Sequence, residues 1–278
     1  MEECKIKKIL TGHYVMEGAG VKLKRIFGFG AAELTDPFLL FDHFGSDNPD
    51  DYIRGFPWHP HRGIETMTFM ISGDVEHGDS LGNKGVIGAG DAQWMTAGSG
   101  IIHQEMPQKT AGYLKGFQLW VNLPARDKMC TPKYRDITSD KIPSLSSDGI
   151  IVQVLSGEFN GIKGAAQDIS GNPLYIDVSL EAEKEFTIEI DIEYKKFLYL
   201  YEGNILYGSD SQNIKKESML IFEPGDRLLL KAAEKSRFII FAGKPLNEPV
   251  AWRGPIVMNT DEELDTAFSQ LRDGTFIK

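Results

Sequence analysis

Two short segments carry the side chains best suited to chemistry, GFPWHPHRGIETMTF and AGSGIIHQEMP. In an extended strand successive side chains point to opposite faces, so His59 and His61 share one face, as do His103 and Glu105. Two such pairs on neighbouring strands would converge on one point. Three imidazoles and one carboxylate make a first shell suited to iron, manganese, nickel, copper or zinc. Four ligands on an octahedral ion leave two open positions, which lets a substrate oxygen and dioxygen bind side by side. A single HxH pair is common by chance, and it is the second pair on its own glycine-bounded strand that turns the pattern into a metal-site expectation.

Other candidates are weaker. Glu65 shares the parity of His59 and His61 and is either an outer partner of the site or an exposed strand carboxylate. His43 reads as a hydrogen-bonded strand or turn residue, while His13 and His77 lie in polar surroundings and are expected to face solvent. Phe56 and Trp58 would either line an aromatic-accepting mouth or pack the core. Cys4 and Cys130 have no metal spacing and read as two reduced thiols.

These pairs need strands to hold them, and the sequence supplies them. From Gly18 to Ile101, short apolar or alternating runs such as ETMTFMISG and GIIHQEM are bounded by Gly, Pro, Asp and Asn, without helical periodicity. This points to an antiparallel sandwich or barrel. The stretch from Leu123 to Gly149 breaks the rhythm and reads as a crossing, after which strand-like runs return. A length of 278 residues suggests two domains, placed at 1–135 and 136–278. The second half echoes the first weakly: aligning Gly90 with Gly225 sets His103 opposite Phe238, and aligning Gly73 with Gly203 sets His59 and His61 opposite Glu189 and Asp191. All six histidines lie in the first half, so metal chemistry is expected there alone. Near the C-terminus, Thr260 and Glu263 have capping-box spacing, Leu264, Ala267, Phe268 and Leu271 repeat at helical period, and Gly274 follows as a stop.

Composition narrows the partners. Hydrophobic residues at 41% and charged residues at 25% are ordinary globular values. Lys and Arg number 30 against 40 acidic residues, a formal charge of −10, with no basic cluster to grip a phosphate backbone. No run has signal-peptide or membrane-spanning character. The expectation is a monomer in the cytoplasm, or also the nucleus in a eukaryotic host, without direct nucleic-acid or membrane contact.

The runs HPHRGIET, EHGDSLGNKGVIGAGDAQWMTAGSGIIHQEMP, KGFQLWVNLP and EPVAWRGPIVMNTDEEL resemble the pirin family, a branch of the cupin superfamily, over nearly the whole chain. The resemblance implies an all-β fold of two tandem antiparallel cupin-type (jelly-roll) β-barrels with a short C-terminal helix, the second barrel metal-free. It places the metal ligands on His59, His61, His103 and Glu105, with iron as the usual metal. Departures are Ile64 where Phe is frequent, Ala89 where Pro is, and Ser99 where Arg is. The implied activity is that of a flavonol dioxygenase similar to quercetin 2,3-dioxygenase, with Glu105 as general base for the substrate's 3-hydroxyl. The alternative it implies is an iron-dependent regulatory module that acts on transcription or metabolic partners through protein contact.

Overall fold

In the computed structural model, residues 2–278 are described. The chain forms two compact units: one contains residues 13–139 and 246–278, the other residues 2–12 and 140–245. A single cut at 135/136 does not reproduce this division, because each terminus joins the unit built mainly from the other half of the chain. The strand Ile6–Leu10 pairs with Ser218–Phe222. The C-terminal helix packs in the unit that holds the histidines, where Leu264 and Ala267 cluster with Ile256, Met258 and Phe276.

The first unit has a seven-stranded and a four-stranded antiparallel sheet. At the centre of the larger, Leu114–Asn122 lies between Phe38–Ser46 and Ile64–Ser72. Its alternation sorts the two faces. Phe117 and Leu119 fall on one face with Phe41 and Phe69, all buried. Gln118 falls on the other, in a row of direct register partners that runs Arg25, Asp42, Gln118, Thr68, Gln93, Asp136 across the sheet. Six polar residues side by side on one face are not what a merely structural core contains. Three of them, Arg25, Asp42 and Gln118, line the cavity on which the site opens. The four-stranded sheet, in the order Phe56–His61, Ile101–Pro107, Val75–Asp79, Lys84–Ile87, carries His59, His61, His77 and His103.

The second unit repeats this plan, with a seven-stranded and a four-stranded sheet whose strand orders match the first. Among the described residues hydrogen bonding closes neither sheet on itself, so each unit is a pair of sheets rather than a hydrogen-bonded barrel. Strand order also corrects the internal alignment. The counterpart of Ile101–Pro107 is Arg227–Ala232, not the strand of Phe238. The turn at Gly225 follows Ser218–Phe222, the counterpart of Ala92–Thr96, so it matches residues 97–100 and not Gly90; two similar Gly-Asp turns lie one strand apart. The second interior is apolar where the first is polar, with Leu228, Leu230, Ile240 and Phe238 buried together.

The C-terminal helix is Asp261–Arg272. Thr260 accepts from the Glu263 amide while Glu263 accepts from the Thr260 amide, the reciprocal cap expected from their spacing.

Candidate metal centre

Phe56–His61 and Ile101–Pro107 run antiparallel, with His59 directly opposite His103 and His61 opposite Ile101. That register brings three imidazoles to one point. Ring centroids are 4.4 Å apart for His59 and His103, 4.8 Å for His59 and His61, and 5.0 Å for His61 and His103. One ring nitrogen from each lies within 4.8 Å of the others.

The protons on these rings can be placed. His59 Nδ1 is 2.9 Å from the Pro57 carbonyl and His61 Nδ1 is 3.0 Å from the Pro255 carbonyl. A carbonyl only accepts, so both Nδ1 atoms carry hydrogen and both Nε2 atoms present lone pairs. Yet the two Nε2 atoms lie 3.0 Å apart. Facing lone pairs repel unless a proton or a cation joins them. Protonation of His61 is disfavoured, because burial, and then the neighbouring His59, push it down to about 3. A metal ion satisfies the geometry: two nitrogens each about 2.1 Å from an ion and at right angles stand about 3 Å apart. His103 supports the same reading. Both its ring nitrogens are buried without a hydrogen-bond partner, and burial holds it well below the ordinary histidine range. An unsatisfied buried imidazole beside two other ring nitrogens is placed to share a ligand with them. The donor set therefore fits a divalent transition metal.

Glu105 stands apart from the three. Pairing between its strand and Phe56–His61 slips by one residue between His103 and Glu105, so Glu105 pairs with Phe56. Its carboxylate is not within the group of mutually close donors. Instead Gln118 Nε2 donates to both its oxygens, at 3.1 and 3.2 Å, and Thr68 Oγ1 donates to Oε1 at 3.3 Å. The Gln118 carbonyl accepts from Trp120 Nε1 at 3.3 Å, which fixes the amide's orientation. Trp120 in turn meets the His61 ring edge to face at 5.0 Å.

The site opens on a cavity of about 590 Å³, within the range of small-molecule pockets. Phe56, Trp120, Trp252 and Phe29 supply aromatic wall, while Asp42, Arg25 and Glu17 supply charge. Arg25 grips Asp42 through two nitrogens and Glu17 through a third. Burial still raises Asp42 to about 6 against the pull of Arg25.

Several candidates fall elsewhere. Trp58 is 53% exposed and does not line the cavity; Phe56 does. Glu65 lies beyond the Gly63 turn in the other sheet, where strand parity no longer connects it to His61, and its Oε1 accepts from Thr96. It is buried, not exposed. His77 does not face solvent. It is 1% exposed, stacked on Tyr134 at 5.0 Å, with Nε2 3.3 Å from Asp136, close enough for attraction but off the direction of a hydrogen bond. In EHGDS the polar neighbours conceal a strand in which Val75, His77 and Asp79 all point inward. His13 is exposed, as expected, and the His43 ring lies against Phe117. Gln118 and Thr68 are hydrogen-bond partners of Glu105 that sequence reading passed over. The signal was there in KGFQLWVN, where a lone glutamine alternates into a strand of buried residues.

Two family descriptions match the chain, Pirin over residues 20–121 and Pirin C-terminal cupin domain over residues 175–277. The chain belongs to the pirin family. A pirin-like protein of Caulobacter vibrioides is 42% identical over 275 residues, covering 98% of each chain. Human pirin is 39% identical and covers 92% of this chain and 88% of its own length. Among solved structures, quercetin 2,3-dioxygenase from Acinetobacter baumannii superposes with a TM-score of 0.92 at 32% identity, covering 99% of this chain and 98% of that one. Family membership makes the two units cupin domains, and among the described residues no helix is long and apolar enough to cross a membrane.

Proposed function

We propose that the chain is a non-haem iron dioxygenase that acts on flavonols such as quercetin with dioxygen. The observation that carries this reading is the trio of imidazoles, with two bare Nε2 atoms 3.0 Å apart, at the end of an aromatic-walled cavity. The similarity to the Acinetobacter enzyme supports the choice of substrate class.

His59, His61 and His103 would hold the ion, with Glu105 as a fourth ligand when it turns from Gln118. When bound, iron supplies a Lewis acid and an electron-transfer partner for dioxygen. The chain's own residues do the rest. Phe56, Trp120 and Trp252 accept a planar ring system and exclude water from its faces. Glu105, held by Gln118 and Thr68 in the orientation of an acceptor, takes the proton of the 3-hydroxyl and leaves an electron-rich flavonolate. When Glu105 is off the metal, Gln118, its own carbonyl held by Trp120, keeps the carboxylate in place as the base.

Oxygen uptake by the iron-loaded protein on addition of quercetin tests the proposal. Stoichiometric uptake with turnover is expected. Absence of uptake with every flavonol tried, at one iron per chain, would overturn it.

A further inference from the structure

His61 is tied to a part of the chain 194 residues away. Its Nδ1 donates to the carbonyl of Pro255, at the turn between the short strands Ala251–Arg253 and Ile256–Met258. That contact decides which ring nitrogen is free to bind a metal.

The turn after His61 is held to the same arm by two buried cations. Arg62 donates from Nε to the Ser99 carbonyl at 2.7 Å, from Nη1 to Gln270 Oε1 at 2.8 Å and from Nη2 to the Phe276 carbonyl at 3.0 Å. Its guanidinium also lies 4.1 Å above the Phe276 ring. Lys128 Nζ donates to the carbonyls of Gly63 at 2.9 Å and Val257 at 3.0 Å, and to Asn122 Oδ1 at 2.7 Å. The backbone approach is as tight as it can be. The Val257 amide donates to the Arg62 carbonyl, and at Gly63, where φ is +76°, a Cβ would stand 1.9 Å from the Val257 oxygen.

None of these acceptors is a carboxylate, and burial pulls Lys128 down to about 7 against the opposing pull of Glu248 and Glu263, so holding a charge here is costly. What Arg62 and Lys128 have in common is that each fastens the turn after His61 to the C-terminal arm, one to the helix and tail, the other to the strand beside Pro255.

We propose that residues 246–278 are a positioning element of the metal centre, with Arg62 and Lys128 as the positioning residues that keep the Pro255 carbonyl on His61. The proposal rests on reading the three imidazoles as metal ligands. It makes an arm distant in sequence part of the site without giving it a ligand.

The test uses the full-length metal-free protein and two readouts. Long-range proton–nitrogen NMR correlations report which nitrogen of His61 bears hydrogen, without any metal. Cobalt(II) titrated against a competing chelator reports affinity, and its visible d–d bands report ligand geometry. In the wild type, hydrogen should sit on Nδ1. In Arg62→Met the tautomers should mix, cobalt affinity should fall about ten-fold or more, and the d–d bands should shift; Arg62→Lys should recover part of each. Gln270→Ala, which removes one acceptor at a half-buried position, should change both readouts in the same direction by less, and carries the test if Arg62→Met does not fold. Variants that lower the melting temperature but leave tautomer, affinity and spectrum unchanged would overturn the proposal. A wild type that binds no cobalt would overturn the metal reading and the proposal with it, an outcome told apart because the tautomer assay needs no metal.

Discussion

Replacing Glu105 with Gln separates the two jobs that one carboxylate could do. The side chain keeps its size, so Gln118, Thr68 and the strand register need not move. Three hydrogen bonds converge on the carboxylate, two from Gln118 and one from Thr68. In the variant one oxygen becomes an NH2 group, which cannot accept from Gln118. One charge-assisted bond is lost and the others become neutral. Bonds to charged groups contribute about 1.5–3 kcal/mol and neutral ones about 0.5–1.5, and the amide avoids the cost of burying a charge. The net change in stability should therefore stay within about 2 kcal/mol. The metal should stay, because the three imidazoles form their group without Glu105. Turnover should not. A positioned base contributes roughly 10²–10⁴-fold, and an amide has no basic lone pair to replace it. Steady-state oxygen uptake with quercetin, alongside metal content from elemental analysis, should show kcat down by about two to four orders of magnitude with iron near one per chain. A variant with wild-type kcat would refute the base assignment, and one that loses its metal entirely would show that Glu105 is chiefly a ligand.

Other outcomes follow from single features. Because His61 is depressed to about 3 in the fold while an unfolded histidine titrates near ~6.5, the unfolded state alone gains a proton as pH falls between those values. Metal-free protein should lose about 1.4 kcal/mol per pH unit from this group across that window and nothing above it; denaturant midpoints flat from pH 7 to 4 would contradict the assignment. His103, shifted the same way, should steepen the loss. Gly63→Ala forces a Cβ against the Val257 carbonyl in a left-handed conformation, and should destabilise by more than the ~1–2 kcal/mol of backbone strain alone; a thermal melt within 2 °C of wild type would refute the close approach. Thr260→Ala removes the helix cap and should cost about 1 kcal/mol in urea denaturation, whereas Thr260→Ser should cost little.

What the sequence made legible is what strand periodicity and local capping decide. His59 with His61, and His103 with Glu105, could be paired because each pair lies within one strand and the period is two. Thr260 and Glu263 could be read because a cap is three residues long. Glu105 was placed on the right face, but the slip in pairing between it and His103 is a property of two strands and cannot be read from one. The same holds for Gln118 and Thr68, which lie 50 residues apart, and for their adjacency to Glu105, 13 and 37 residues away, since all three contacts depend on registers between strands. His77 was misread because its neighbours in EHGDS are polar, although Val75, His77 and Asp79 share a parity. The units' boundaries were hidden because Ile6–Leu10 completes a sheet whose partner strand begins at Ser218, and nothing local in IKKIL announces that pairing. The Gly90–Gly225 alignment slipped by one strand because two Gly-Asp turns resemble each other more than they resemble their true counterparts, while the Gly73–Gly203 alignment agrees with the strand order.

Central to the account is one ion shared by three imidazoles. X-ray absorption on the iron-loaded protein, with total iron quantified, tests this most directly. The account predicts one iron per chain, with the scattering of three imidazole rings at about 2.0–2.2 Å, and loss of one ring's contribution in His103→Ala. Iron bound without imidazole scattering, or a spectrum unchanged by His103→Ala, would contradict it.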